Sequence, residues 1–248
     1  WLALIERRNI EHAAAIHVTA QAEKLEIQKF KYRLHTIYSV PNGVDIPEDW
    51  CHETVSEDVL KVTRGAPYVL YLGRINWKKG LDRLIKLWRE VPAARIVIAG
   101  NDEENYLPKL QALVIDSGVS DRVVFLARSI KGADKEILFA KASLFVLPSY
   151  SENFGITVVE AMVRSVPVVV TEEVGAKEVV KDAKGGIVVN ANQLGKAIND
   201  LLSDTECRVA MGRQGKEWVS VNMTWDKVAR KMEKVYLRIL DSGPTHRA

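Results

Sequence analysis

The sequence predicts a doubly wound α/β domain, a Rossmann-like parallel sheet with helices on both faces. Three observations carry the prediction. From residue 67 onward, short β-branched runs alternate with stretches whose apolar residues recur at helical spacing. The runs are apolar at consecutive positions, as in Val166-Pro-Val-Val-Val170, which suits strands covered on both faces. Strand and helix alternate repeatedly, and repeated βα units build parallel sheets.

The elements follow in order. Pro67-Tyr-Val-Leu-Tyr-Leu72 is the first strand of the series, and Leu81, Leu84, Ile85 and Trp88 mark one face of the next helix by their i, i+3, i+4, i+7 spacing. Ala94-Arg-Ile-Val-Ile-Ala99 is a strand, with a helix over 104–116. Arg122-Val-Val-Phe-Leu126 precedes a helix over 134–141, and Leu144-Phe-Val-Leu147 precedes one over 156–164. Val166-Pro-Val-Val-Val170 and Gly186-Ile-Val-Val189 complete the strands, and helices cover about 193–202, 205–220 and 225–240. Ligands of such sheets bind beyond the carboxyl ends of the strands. The loops after residues 72, 99, 126 and 147 are therefore the candidates.

The first 42 residues differ. Ala13-Ala-Ala-Ile-His-Val18 suits a short strand, 20–30 a helix, and His35-Thr-Ile-Tyr-Ser-Val40 a strand ending in the turn signal Pro41-Asn-Gly43. The chain opens at Trp1 inside a helical pattern and reads as a piece of something longer, while 242–248 is expected to fray.

Composition narrows the function. With 248 residues, 47% hydrophobic and 27% charged, the chain is globular rather than disordered. A net charge of +3 is too small to indicate nucleic acid. Cys51 and Cys207 are far apart and form no CxxC, so a disulfide framework and a zinc ribbon are not expected. No apolar run approaches the roughly 18 residues of a membrane span, and the expected location is the cytoplasm, with a membrane surface as an optional contact. No Asp-x-Asp occurs and no His, Cys and carboxylate cluster has ligand spacing, so neither metal nor cofactor is expected. His17, before Thr19, is the one histidine placed to approach a cleft, although a structural role suits it better; His12, His35, His52 and His246 show no partner spacing.

Two loops carry chemistry. In Gly73-Arg-Ile-Asn-Trp-Lys-Lys-Gly80, Gly73 leaves room beside a strand end, and Arg74 and Lys79 supply a fork and a point charge suited to a diphosphate. Taken alone, they also fit solvated surface charges. Neither a Walker loop nor a GxGxxG is present. In Pro148-Ser-Tyr-Ser-Glu-Asn-Phe-Gly155, a strand runs into a helix beginning Ile156-Thr-Val-Val-Glu160. N–H groups near Phe154, Gly155, Ile156 and Thr157 would face an anion there. Glu160, one turn on, leans back toward the same ligand, and an acceptor-only carboxylate suits a ribose diol. Glu152, eight positions earlier, would take hydroxyls of a neighbouring group. Cations for phosphates beside carboxylates for hydroxyls describe a nucleotide-sugar.

Glu152-Asn-Phe-Gly-Ile-Thr-Val-Val-Glu160-Ala-Met resembles the E-x(7)-E signature of retaining glycosyltransferases of family four. The segment from Gly73-Arg74 to Lys79-Gly80 is similar to that family's Arg/Lys diphosphate clamp, with Lys79 preferred to Lys78 because it directly precedes Gly80. Val40-Pro-Asn-Gly-Val-Asp45, Leu147-Pro-Ser149 and Val166-Pro-Val-Val-Val-Thr171 match in order, and the resemblance runs from about residue 10 to 240. It implies the GT-B architecture, with two Rossmann-like domains across a cleft. Residues 1–42 would be the remnant of an N-terminal acceptor domain, 43–223 the donor domain, and 224–248 a crossover helix and tail. It further implies metal-independent sugar transfer with retention, UDP-sugars being favoured, in polysaccharide or glycoconjugate biosynthesis. Arg74, Lys79 and Glu152 would be catalytic. Gly73, Asn153, Phe154, Gly155, Ile156, Thr157 and Glu160 would bind the donor, with Ser129 and Ile130 at its base. A carbohydrate or lipid-linked acceptor would sit on the missing domain.

The sequence departs from the family pattern at Ala127, where glycine is usual, and at Arg164-Ser165, where a small residue and glycine are usual before Pro167; the second change reads as packing. Rival readings are a GT-B nucleotide-sugar epimerase or sugar phosphorylase, a binding module inactive without its partner domain, and a scaffold at a lipid surface. No pyridoxal-phosphate lysine site is recognisable, and the charges are interspersed rather than striped.

Overall fold

Unbroken apolar runs leave a strand no face to give to water, and six of them form one parallel sheet. The computed structural model describes residues 5–47, 54–92 and 94–241. Trp1, Cys51, His52, His246 and the tail expected to fray lie outside the described residues. The chain begins with α1 (Arg7–His12), β1 (Ile16–Val18), α2 (Gln21–Lys29) and β2 (Ile37–Ser39). The main domain follows: α3 (Glu57–Thr63), β3 (Tyr68–Leu72), α4 (Leu81–Leu87), β4 (Arg95–Ala99), α5 (Leu107–Asp116), β5 (Val123–Leu126) and α6 (Gly132–Lys141). Then come β6 (Ala142–Leu147), α7 (Ile156–Val163), β7 (Val168–Thr171), α8 (Lys177–Ala183), β8 (Gly186–Val189), α9 (Leu194–Ser203), α10 (Thr205–Asn222) and α11 (Trp225–Asp241).

The strand order is β5-β4-β3-β6-β7-β8, all parallel. The chain therefore builds outward from β3 through β4 to β5, returns to lay β6 beside β3, and builds outward the other way. This reversal leaves a crevice beyond the carboxyl ends of β3 and β6, the place where open α/β sheets take ligands. Every residue of β3 and β7 is buried. Trp88, Tyr68, Tyr71, Phe139 and Phe145 are the largest side chains in the core, and burying each contributes about 1.5–3 kcal/mol.

Element ends shift for local reasons. α5 starts at Leu107 rather than 104 because the Asp102 carboxylate accepts from the N–H groups of Tyr106 and Leu107 at 2.8 and 3.0 Å, capping the helix there. β7 starts at Val168 because Val166 N–H closes back on Ala161 and Pro167 has no N–H to give a ladder. α3 and α8, not foreseen in the sequence, bury two residues each, Val59 with Val62 and Val180 with Ala183.

Among the described residues β1 and β2 pair only with each other, Ile16 opposite Ile37. Beside them a second small core joins Val40 to Val228 and Val235 of α11, with Tyr38, Met232 and Ile239 packed on it. The chain enters and leaves the main domain at one point, where Val44 N–H donates to Met223 C=O at 2.8 Å and Val44 bridges Thr224.

Candidate active site

The loop after β3 is built as a rigid turn. Gly73 N–H and Ile75 N–H donate to Ala99 and Asn101 C=O at 3.0 and 2.7 Å, which carries the β3–β4 pairing one step past the sheet. Buried Asn76 then caps a 3₁₀ turn, Trp77–Lys79, its Oδ1 accepting from Lys78 N–H at 2.9 Å. Gly80 ends the turn at φ +65°, and a Cβ there would stand 2.0 Å from Pro148 C=O. Only glycine satisfies both the left-handed backbone and that approach. The loops after β3 and β6 are thus pressed together, and Tyr150 N–H donates across to Lys78 C=O at 2.8 Å.

The loop after β6 is held on its other side by the turn after β7. Glu152 N–H donates to Glu173 C=O at 3.3 Å, and Gly175 and Ala176 N–H groups donate to Glu152 and Phe154 C=O at 2.9 and 2.7 Å. Gly155, at φ +87°, turns the chain into α7. The first N–H groups of that helix project at the crevice with the macrodipole behind them.

Within this frame Lys79 and Glu152 form an ion pair, both side chains largely buried. The expected phosphate-holding cation and the expected sugar-holding carboxylate thus occupy one spot, although 73 residues separate them. Tyr71, fully buried beneath them, donates its hydroxyl to Arg74 C=O at 2.7 Å. Burial, then the neighbouring Glu152 carboxylate, push its pKa up, so the phenol stays a neutral donor. Arg74 itself reaches away from the crevice to Glu103, 3.0 Å distant, with both side chains exposed.

Glu160 lies on α7 as expected, and Lys135 at the start of α6 meets its Oε1 at 3.1 Å. Ser129 and Ile130 follow β5 in the connection to α6. That connection is anchored by Arg128, which pairs with Asp58 and Asp134 at 2.8 Å each. Asp134 also accepts from the backbone and hydroxyl of Ser56, both at 2.7 Å. The Arg128 hydrogen bond holds the Asp58 carboxyl below its ordinary range. For Asp134 burial opposes ionisation, but the Ser56 and Arg128 hydrogen bonds outweigh it and the carboxyl is again lowered.

A cleft of about 600 Å³ opens between residues 16–30 and the loops after β6 and β7. Glu152, Asn153 and Tyr150 line one wall, and His17, Glu23 and Phe30 the other. His17 does approach the cleft, and its Nε2 donates to Val40 C=O at 2.8 Å. His12 and His35 hydrogen-bond the Arg8 and Glu11 carbonyls. Among the described residues no group of three His, Cys, Asp or Glu side chains is placed to hold a metal ion.

Three residues packed around these loops escaped sequence reasoning. Arg83 donates Nε to Pro148 C=O and Nη2 to Thr171 Oγ1 at 2.6 and 3.1 Å, and stacks 4.4 Å from the Tyr150 ring centroid. Tyr150 donates its hydroxyl to Asp82 at 3.0 Å. Lys135 is the third. Arg83 falls in the first turn of the helix that opens at Gly80, a signal available in the sequence; Lys135 and Tyr150 find their partners only through space. The reading of Arg164 as packing is supported: it pairs with Glu136, lies 5.2 Å from the Phe139 ring centroid and donates to Glu160 C=O at 2.9 Å.

The family description "Glycosyl transferases group 1" matches residues 55–218, which contain both loops and all of these contacts except those of the first 47 residues. The chain belongs to that family. The GDP-mannose-dependent alpha-(1-6)-phosphatidylinositol monomannoside mannosyltransferase of Mycobacterium tuberculosis is 33% identical over 180 residues, covering 67% of this chain and 46% of its own length. The D-inositol 3-phosphate glycosyltransferase of Xylanimonas cellulosilytica is 27% identical over 237 residues, covering 90% and 56%. Among solved structures, sucrose-phosphate synthase from Thermosynechococcus elongatus superposes with a TM-score of 0.80 at 23% identity, covering 97% of this chain and 62% of that one. HepE of Anabaena, solved with UDP-glucose, gives 0.78 at 22% identity, covering 93% and 65%. The fold is that of GT-B glycosyltransferases. The chain spans about half the length of these curated relatives.

Proposed function

We propose that this chain is the donor-binding half of a glycosyltransferase that moves a sugar from a nucleoside-diphosphate sugar to an acceptor with retention. The observation that carries the reading is the meeting of Lys79 and Glu152 at the strand-order reversal, in front of the start of α7. The diphosphate would lie between Lys79 and the α7 N-terminus, with Arg74 swinging over from Glu103. Lys79 has three donors, so it serves a phosphate while still touching Glu152. Glu152 and Asn153 would take hydroxyls of the transferred sugar, Glu160 the ribose, and Ser129 and Ile130 the base.

As the bond from the anomeric carbon to the diphosphate oxygen breaks, charge builds on the leaving phosphate, and these groups stabilise it. The acceptor hydroxyl attacks from the same face and gives its proton to the departing phosphate oxygen. One such donor is typically worth about 3–4 kcal/mol in the transition state. Glu152 is not assigned as a nucleophile.

Residues 1–42 and α11 would belong with an N-terminal acceptor domain. The separate β1–β2 pair, the small core shared by Val40 and α11, and the exposed Tyr236, Leu237 and Leu240 of α11 support this. The acceptor would enter through the cleft of about 600 Å³. Uridine was the base favoured from sequence. The relative 33% identical is named GDP-mannose-dependent, which favours guanosine instead.

Differential scanning fluorimetry against UDP-, GDP-, ADP- and dTDP-sugars tests the reading. At least one should stabilise the chain, and that shift should vanish in a variant carrying both Arg74→Ala and Lys79→Ala. No stabilisation by any of them, or an equal shift in the double variant, would overturn it.

A further inference from the structure

We infer that Lys135 is a positioning residue that fixes the Glu160 carboxylate for a ribose diol, and so sets selectivity for ribonucleotide over 2′-deoxyribonucleotide donors. The inference rests on the donor reading and adds a residue to it.

Glu160 has three rotatable side-chain bonds, and an unheld glutamate must be ordered when a ligand arrives. Lys135 Nζ already holds its Oε1 at 3.1 Å, leaving Oε2 for hydroxyls. Both side chains are about three-quarters buried, at 26% and 21% exposure. The pair is therefore ordered before binding, and ordering in advance removes an entropic cost from the association.

The pair is not needed to tie α6 to α7. Arg164 does that by pairing with Glu136, stacking on Phe139 and donating to Glu160 C=O. That second tie holds the Glu160 backbone, and Lys135 holds the end of its side chain. The backbone of Lys135 is fixed in turn, because the adjacent Asp134 accepts from Ser56 and Arg128. Lys135 also follows Ser129 and Ile130, the residues assigned to the base, by only a few positions in the chain.

The test is a cycle between protein and ligand. Affinities of UDP, GDP and their 2′-deoxy counterparts are measured by calorimetry on the 248-residue chain and on the variants Lys135→Met, Lys135→Arg and Glu160→Gln. Lys135→Met should weaken binding of the ribonucleotide about five- to tenfold, as expected for a lost charge-assisted contact. It should change the 2′-deoxy ligand by less than about twofold, so the ribo/deoxy ratio falls. Lys135→Arg should keep the ratio, and Glu160→Gln should collapse it. If Lys135→Met weakens both ligands equally, or neither, while Glu160→Gln still collapses the ratio, the positioning role is refuted and the donor reading stands. If Glu160→Gln leaves the ratio unchanged, the ribose assignment fails and the role of Lys135 with it.

Discussion

Replacing Gly80 with alanine tests whether the two crevice loops hold each other in place. Two costs add. At φ +65° an L side chain sits in the left-handed region, worth about 1–2 kcal/mol. The new Cβ would also stand 2.0 Å from Pro148 C=O and 2.9 Å from Arg83 Nε. A carbon needs at least an ångström more, so the loop after β6 must move, at about 1–3 kcal/mol for an overpacked site. Gly118 provides the comparison, since its φ is +63° with nothing within 4 Å of a Cβ. Gly118→Ala meets the first cost alone. Urea unfolding should therefore show Gly80→Ala less stable than Gly118→Ala by about 1–3 kcal/mol. Nucleotide affinity should drop in the Gly80 variant only, because Pro148 starts the loop that carries Glu152. Equal destabilisation by the two changes, or unaltered affinity in Gly80→Ala, would refute the reasoning.

Ser165 is exposed and adopts φ +61°; Ser165→Gly should raise stability by about 0.5–1 kcal/mol, the left-handed penalty less the entropy of glycine, readable as a higher urea midpoint. Glu103→Gln should free Arg74 and tighten UDP or GDP binding by about two- to threefold, in line with an exposed pair; unchanged affinity in calorimetry would count against a phosphate role for Arg74. The Asp58 and Asp134 carboxyls are both lowered in the folded chain from an ordinary value of 3.8. Their contribution is therefore complete above the unfolded value and is lost as pH falls through the folded one. Melting temperature should decline below about pH 4, and Arg128→Gln should flatten that decline in thermal melts; an identical acid limb would disprove the network's part in it.

Much of the fold was legible because its strands are buried on both faces and so written as unbroken apolar words such as Tyr68-Val-Leu-Tyr-Leu72. α3 and α8 were not, since two buried residues at i, i+3 do not make a period. The 3₁₀ turn at Trp77–Lys79 depends on the Asn76 side chain bonding two residues ahead, which a helix-or-strand pattern does not register. In the site, Glu160 could be placed because helix geometry leans its carboxylate back toward the helix start. What the chain order hides is which charges neutralise one another. Lys79 with Glu152 and Lys135 with Glu160 are 73 and 25 residues apart. Arg74, placed in the crevice by its loop, instead faces Glu103.

The close contact of Gly80 with Pro148 has a mechanical corollary. A crevice whose floor is locked carbon against oxygen, with no slack for an extra methyl group, cannot open by bending its own loops. Whatever gape a bulky substrate requires must be made elsewhere, and the chain narrows at one place, where Val44 and Met223 lie side by side joined by a 2.8 Å bond. Rotation about that paired crossing leaves both loops unbent, so the stiffness of the jaws hands the motion to the joint.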